Sequence, residues 1–277
     1  MPVTKVHCKA RADRGSFEVL EIDQCRACAD SGENPCQMTP PMIRFVHDTW
    51  KDSAGRSPYS ASKIGNCPRK AVLEQRFTWG ADPMDMYSAM RGTMIHASLS
   101  DKMDPTAGEL GEIRVFREFM GVRIGGQFDY LKFTPKYDIL YDYKSVQKLP
   151  PFQYAYVKHR DQMNIYRWLL QDQEIQGHKV NIGELIVEYI ASDGWKQCKA
   201  KLLDFIEVEA MISTYVNAVK PALEASEDEW MELLPPVLPY DSWECGYCDL
   251  RKMCYHLKDQ QLMEQSMEEG SEDDDVF

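Results

Sequence analysis

The chain has 277 residues, 44% of them hydrophobic and 27% charged, with a formal net charge of −12. That is enough for one substantial core with a small appendage, and without a run of 18 apolar residues it excludes an ordinary membrane span. The charge argues against general attraction to polyanions, but eight acids and no Lys or Arg crowd into residues 259–277. Such a run makes a solvated, disordered tail, so total charge leaves open a nucleic-acid partner held by a local basic groove and metal ions.

The opening MPVTKVHCKARADRG lacks the apolar stretch of a secretory signal. The expected location is the cytoplasm, that of a host cell if the chain is viral. Nine cysteines are many for such a compartment, where disulfides are rare, and they are grouped. Cys8, Cys25, Cys28 and Cys36 lie at the front; Cys245, Cys248 and Cys254 lie at the back; Cys67 and Cys198 stand alone between them. Grouping with C-x-x-C pairs favours metal over disulfides. Residues 1–41 are polar and Cys-rich and end in Thr39-Pro40-Pro41, as in a small metal-stapled module followed by a break. The spacing C-x16-C-x2-C-x7-C suits a four-cysteine site for Zn²⁺, with His7 as an alternative to Cys8.

Residues 42–51 and 60–77 have helical character, the second capped by Ser60 or Ser62, and 87–103 reads as another helix. The period then changes. Residues 112–121, 122–133 and 138–146 alternate or run apolar like strands. Residues 153–173 form an amphipathic helix with Tyr156, Met163, Tyr166, Leu169 and Leu170 near one face. Residues 183–192 are a strand, Asp193-Gly194 suits a hairpin, and 203–225 form a further helix. This order predicts an α/β sandwich around a mixed sheet.

ILYDYKSVQ, residues 139–147, places Asp142 and Lys144 two apart on an otherwise apolar strand, where they share a face and desolvation is costly. Asp129, in GGQFDY, lies on the preceding strand. Two carboxylates on adjacent strands repel unless a cation lies between them. Mg²⁺ and Mn²⁺ take such oxygen ligands, and His96 from the preceding helix supplies an imidazole that tilts the preference toward Mn²⁺. Lys144 is placed to orient or deprotonate a water, or to steady a phosphate. Gln162 and Tyr166, four apart on the long helix, could hydrogen-bond a DNA strand. Taken singly, each piece has a bland reading: an edge ion pair, a structural histidine, a turn-capping Asp129, a packed tyrosine.

Together, G-x-x-x-H at 92–96, Asp129, D-Y-K at 142–144 and Q-x-x-x-Y at 162–166 resemble the RecB-type branch of the PD-(D/E)XK nucleases. The resemblance implies a restriction-endonuclease-like core in which His96, Asp129, Asp142 and Lys144 form the active site and Gln162 and Tyr166 lie on a helix beside it. It also implies a glycine-containing turn before the first acid, matched by Gly125-Gly126.

The C-x2-C-x5-C at Cys245, Cys248 and Cys254 is one thiolate short of a closed site, and Cys67 is the natural fourth. This arrangement resembles the iron–sulfur subset of those nucleases, above all the CRISPR-associated Cas-four exonucleases. It implies a [4Fe–4S] cluster on these four cysteines; spacing alone leaves zinc open. Cys198 reads as a lone thiol.

The implied function is Mg²⁺- or Mn²⁺-dependent hydrolysis of DNA from single-stranded or free ends, alone or with protein partners in a DNA-processing complex. A nuclease-like adaptor that binds DNA ends with little free activity is the alternative. The expected division is 1–41 as the Cys-rich module, 42–258 as the nuclease domain and 259–277 as the acidic tail. Lys63, Arg69 and Lys70 near the cluster are candidates for a strand-binding groove. So are Lys148, Lys158, His159, Arg160 and Arg167 near the active site. Tyr154, Tyr156 and Trp168 could stack on bases, with core packing the alternative.

Overall fold

The structure is a computed structural model that describes residues 5–13, 16–31, 34–53, 57–77, 80–239, 242–246, 248 and 250–259. The N-terminal strands β1 (Lys5–Cys8) and β2 (Glu18–Glu21) pair antiparallel and lead into α1 (Ile22–Asp30) and α2 (Pro40–Ser53). Helix α3 (Pro68–Arg76) follows, then β3 (Gly80–Ala81), which pairs parallel to β1, and α4 (Tyr87–Ser100). Val6, Leu20, Ile43, Val46, Ala81 and Met90 share one small core with buried Cys8 and Cys25. The break expected after residue 41 is therefore not where packing divides. The front module is completed by α2, β3 and the start of α4, because three short elements alone cannot enclose a core. Neither Ser60 nor Ser62 caps the next helix; Cys67 does, with Pro68 at its first position, where a missing N–H costs nothing.

The main sheet comprises β4 (Glu109–Phe119), β5 (Val122–Lys132), β6 (Asp138–Ser145), β9 (Ile182–Ala191) and β10 (Gly194–Ala200), in the order β10-β9-β6-β5-β4. Between β6 and β9 lie α5 (Val157–Leu170) and a small hairpin, β7 (Glu174–Ile175) and β8 (His178–Lys179). The sheet is mixed: β6 and β9 are parallel and the other neighbours antiparallel. Parallel neighbours need a long crossover, and α5 supplies it. The β4–β5 hairpin turns on Met120 and Gly121, with φ of 53° and 71°. Two left-handed residues match the twist of paired strands.

Helix α6 (Phe205–Glu224) starts at a capping box formed by Asp204 and Glu207. It is followed by α7 (Trp243–Gly246) and α8 (251–259). Asp259 thus lies in a helix, and the rest of the expected acidic tail lies outside the described residues. The main core joins the sheet to α3, α5 and α6 through Phe128, Leu140, Val187, Trp168, Leu73 and Val216. No helix among the described residues is long and apolar enough to cross a membrane.

Helix α5 begins four residues later than the expected 153. Residues before it run extended against β10, bridging Tyr154 to Lys199. Gly125 and Gly126 are not a turn but lie inside β5. A Cβ on Gly126 would lie 2.5 Å from the Tyr166 ring, so this glycine lets α5 approach the sheet.

Candidate active site

The register of β5 and β6 runs from Lys132↔Ile139 to Tyr130↔Tyr141 and then stops. One step further the facing positions are Asp129 and Asp142. There a side chain replaces the ladder: the Tyr143 N–H donates to Asp129 Oδ2 at 2.8 Å. On the far side of β5, Glu112 of β4 stands across from Asp129, between the pairs Gly111↔Tyr130 and Ile113↔Phe128. Its φ is 55°, left-handed geometry that is uncommon for a non-glycine residue and that interrupts pairing. Three acids from three successive strands thus lie in one row across the sheet.

His96 reaches this row from α4. Its Nδ1 lies 3.3 Å from Asp129 Oδ1 and 3.8 Å from Glu112 Oε1, and its Nε2 donates to the Tyr143 carbonyl at 3.0 Å. The Asp129 carboxylate first, then Glu112, raise its pKa to about 10. Arg91, one turn earlier on α4, ties that helix to β6 by donating to Ser145 Oγ at 2.6 Å and to the Val146 carbonyl at 2.8 Å.

Asp142 is 2% exposed and Asp129 7%. Lys144 Nζ lies 2.6 Å from Asp142 Oδ2, yet that oxygen receives no aligned hydrogen bond. Burial raises the Asp142 pKa while the Lys144 ammonium opposes the shift. Among the described residues, His96, Glu112 and Asp129 place their ligand atoms within 4.8 Å of one another. One imidazole and two carboxylates, with an under-satisfied buried carboxylate beside them, form a donor set that fits a hard or borderline divalent ion. Sequence reasoning missed Glu112. The strand pattern gave it no distinction, and its position opposite Asp129 exists only through the β4–β5 register.

Gln162 and Tyr166 sit beside the site on α5, but Gln162 Nε2 donates to Tyr166 Oη at 3.0 Å and the Tyr166 ring is buried against Gly126. The expected contact of Tyr166 with a DNA strand is not available from that position. Several groove candidates are likewise engaged elsewhere. Arg69 is buried and donates to the Pro235 carbonyl. Arg167 donates to the Leu203 carbonyl and lies over the Phe205 ring. His159 shares the Tyr189 hydroxyl at 2.8 Å, and burial, with Lys144 and Lys158 nearby, lowers its pKa to about 4, so it is no cation at neutral pH. Trp168 is core, with Nε1 donating to Glu209. Lys63 pairs with Glu74 at 2.9 Å.

The cysteines form two groups. Cys67, Cys245, Cys248 and Cys254 line one cavity of about 300 Å³ between α3 and the C-terminal segment. Burial raises the Cys67 and Cys254 thiols, while the Lys70 and Arg69 amides lower the first and the Arg69 guanidinium lowers the second. At the front, Cys25 and Cys28 are three apart on α1. The Cys25 thiol is pushed up to about 12, by burial first and then by the nearby Cys8, Cys36 and Cys28. His7 and Cys8 are neighbours on β1 and point to opposite faces; His7 stacks on Phe17 at 4.1 Å, so it is not the fourth member.

Residues 101–255, more than half of the chain, match the PD-(D/E)XK nuclease superfamily. No curated protein matches in sequence. Among solved structures, the crystal structure of SSO0001 is similar at 18% identity and a TM-score of 0.53, covering 77% of this chain and 93% of that one. A Eubacterium rectale protein provisionally named an exonuclease is similar at 10% identity and a TM-score of 0.40, covering 64% of this chain and 86% of its own. The family match spans β4, β5 and β6 with their facing acids, as well as α5 and the C-terminal cysteines, and on it the chain belongs to the PD-(D/E)XK nuclease superfamily.

Proposed function

We propose that this chain is a Mg²⁺- or Mn²⁺-dependent deoxyribonuclease that shortens DNA from single-stranded or free ends. Nucleases of its superfamily work with divalent metal ions, and the observation that supports metal-dependent hydrolysis here is the row Glu112, Asp129, Asp142 with His96 at one end and Lys144 at the other. His96, Glu112, Asp129 and Asp142 would hold the ion. When bound, it would polarise a phosphodiester and lower the pKa of an attacking water.

The remaining work falls to the chain itself. The Tyr143 carbonyl fixes the His96 ring through Nε2, leaving Nδ1 for the ion; such outer partners orient a ligand. Lys144 Nζ holds the attacking water or a phosphate oxygen at the mouth of the site. Tyr166 packs α5 on β5 at Gly126, and Gln162 braces its hydroxyl within the helix.

The same reading assigns Cys67, Cys245, Cys248 and Cys254 to a [4Fe–4S] cluster. Their convergence on one cavity and the donors around two of the thiols support it. The cluster would fasten α3 to the C-terminal segment. Cys8, Cys25, Cys28 and Cys36 are assigned to a structural Zn²⁺, supported by the nearness of the other three to Cys25 and by the amides of Ala10 and Arg11 directed at Cys8.

The test uses anaerobically purified full-length protein, Mn²⁺ and end-labelled single-stranded DNA. Digestion by the wild type is expected to fall at least about a hundredfold in Asp142→Asn and in Lys144→Ala. Undiminished digestion in either variant would refute its assignment.

A further inference from the structure

The segment between β6 and α5, residues 146–156, leaves the candidate active site and is held firmly by its backbone. Lys199 N–H donates to the Gln153 carbonyl at 3.1 Å and Ala155 N–H to the Lys199 carbonyl at 3.0 Å. Lys196 Nζ donates to the Pro150 carbonyl at 3.0 Å, and Cys198 Sγ approaches the Phe152 carbonyl at 3.4 Å. Its side chains do the opposite. Phe152 is 58% exposed, Tyr154 69% and Tyr156 42%. Three aromatic rings within five residues, left in water by a pinned backbone, gain little from burial and form the kind of exposed apolar patch that marks a contact site.

The rings lead toward the acids. Phe152 and Tyr156 have centroids 6.5 Å apart, and Tyr156 lies 5.6 Å from Tyr189 and 6.0 Å from His159. The Tyr156 N–H donates to Tyr189 Oη at 3.1 Å, and Tyr189 is the β9 partner of Lys144. The row therefore ends beside the Asp142–Lys144 pair. Lys148 and Lys158 are exposed on the residues that flank the rings in sequence, bringing positive charge to this stretch of chain.

We propose that Phe152, Tyr154 and Tyr156 form a stacking surface for the bases of single-stranded DNA and deliver the strand to Lys144; this rests on the nuclease reading above. Every base offers a face to an aromatic ring whatever its identity, whereas in a duplex those faces are covered by neighbouring pairs. Lysines beside the rings meet the phosphates. The pinned backbone means that little ordering is needed on binding. Such a surface selects a strand over a duplex without reading sequence.

The test is fluorescence anisotropy with a labelled oligothymidylate, a blunt duplex and an oligouridylate, using full-length protein carrying Asp142→Asn to block cleavage. Phe152→Ala, Tyr154→Ala and Tyr156→Ala are each expected to weaken single-strand binding about fivefold or more. Duplex binding should be unchanged, the thermal midpoint should hold in Phe152→Ala and Tyr154→Ala, and Tyr154→Phe and Tyr156→Trp should bind like the parent. Alanine variants that bind the strand as the parent does overturn the proposal, as does equal loss on strand and duplex or a preference for the RNA oligomer. A wild-type chain that cleaves DNA while the ring variants bind normally sinks the stacking surface alone. A protein that neither binds nor cleaves nucleic acid with any divalent ion sinks the nuclease reading with it.

Discussion

At the scale of single residues, the site is governed by competition for the His96 ring. An unfolded histidine titrates near pH ~6.5, and Asp129 and Glu112 raise His96 to about 10. A base with a raised folded pKa stabilises the metal-free fold fully below the unfolded value, and that stability is lost as pH rises through about 10. A divalent ion needs the neutral ring, so binding expels a proton. Calorimetry in buffers of different ionisation enthalpy should show Mn²⁺ affinity rising by up to about tenfold per pH unit between 7 and 9, with proton release; in His96→Gln the slope should flatten. Glu112→Gln keeps the shape of the side chain but removes one charge, and Mn²⁺ titration should show affinity falling roughly 10- to 100-fold. An unchanged affinity would remove Glu112 from the ligand set.

At the scale of elements, the site depends on where β5 and β6 part and on how closely α5 lies over them. Gly126 sets that approach, because a Cβ there would meet Tyr166 at 2.5 Å and Ala61 at 3.1 Å. Gly126→Val should overpack this contact and cost about 1–3 kcal/mol, seen as a lower thermal midpoint. Tyr166→Ala in the same chain should recover part of the loss, since the clash is with that ring. The strands were legible in the sequence because alternation and β-branched runs report burial directly. The start of α5 was not, since hydrogen bonds to β10 hold residues 153–155 extended. The same limit explains Gly125-Gly126: a glycine pair signals either a turn or a close approach, and only the neighbour above it decides which.

At the scale of the molecule, two groups of thiols lie in two different regions. On the proposed assignment, a cluster on Cys67 and the C-terminal triplet would close a loop nearly as long as the nuclease domain, so its loss would release both ends of the core. Cys8, Cys25 and Cys36 belong to the small core that reaches Met90 on α4, the helix that carries His96. Metal analysis with thermal melting separates the two. Cys67→Ser should lose iron and the broad absorbance near about 400 nm while keeping zinc. Cys25→Ser should lose zinc and keep iron. Either substitution should lower the thermal midpoint, because ligand binding is coupled to folding. Loss of both metals in one variant would mean that the regions are not independent.

The sequence by itself determined the class of fold, the strand order from β4 to β6, the pairing of Asp142 with Lys144, and the two sets of cysteines. These are written in local periodicity and in spacing, which need no knowledge of distant neighbours. Only the tertiary structure decided that Glu112 joins Asp129 and His96, that Arg69, Arg167 and His159 turn away from any groove, and that β3 and α4 complete the front module. Each of those depends on register or on burial between segments far apart in the chain, and a side chain's environment is set by what folds against it.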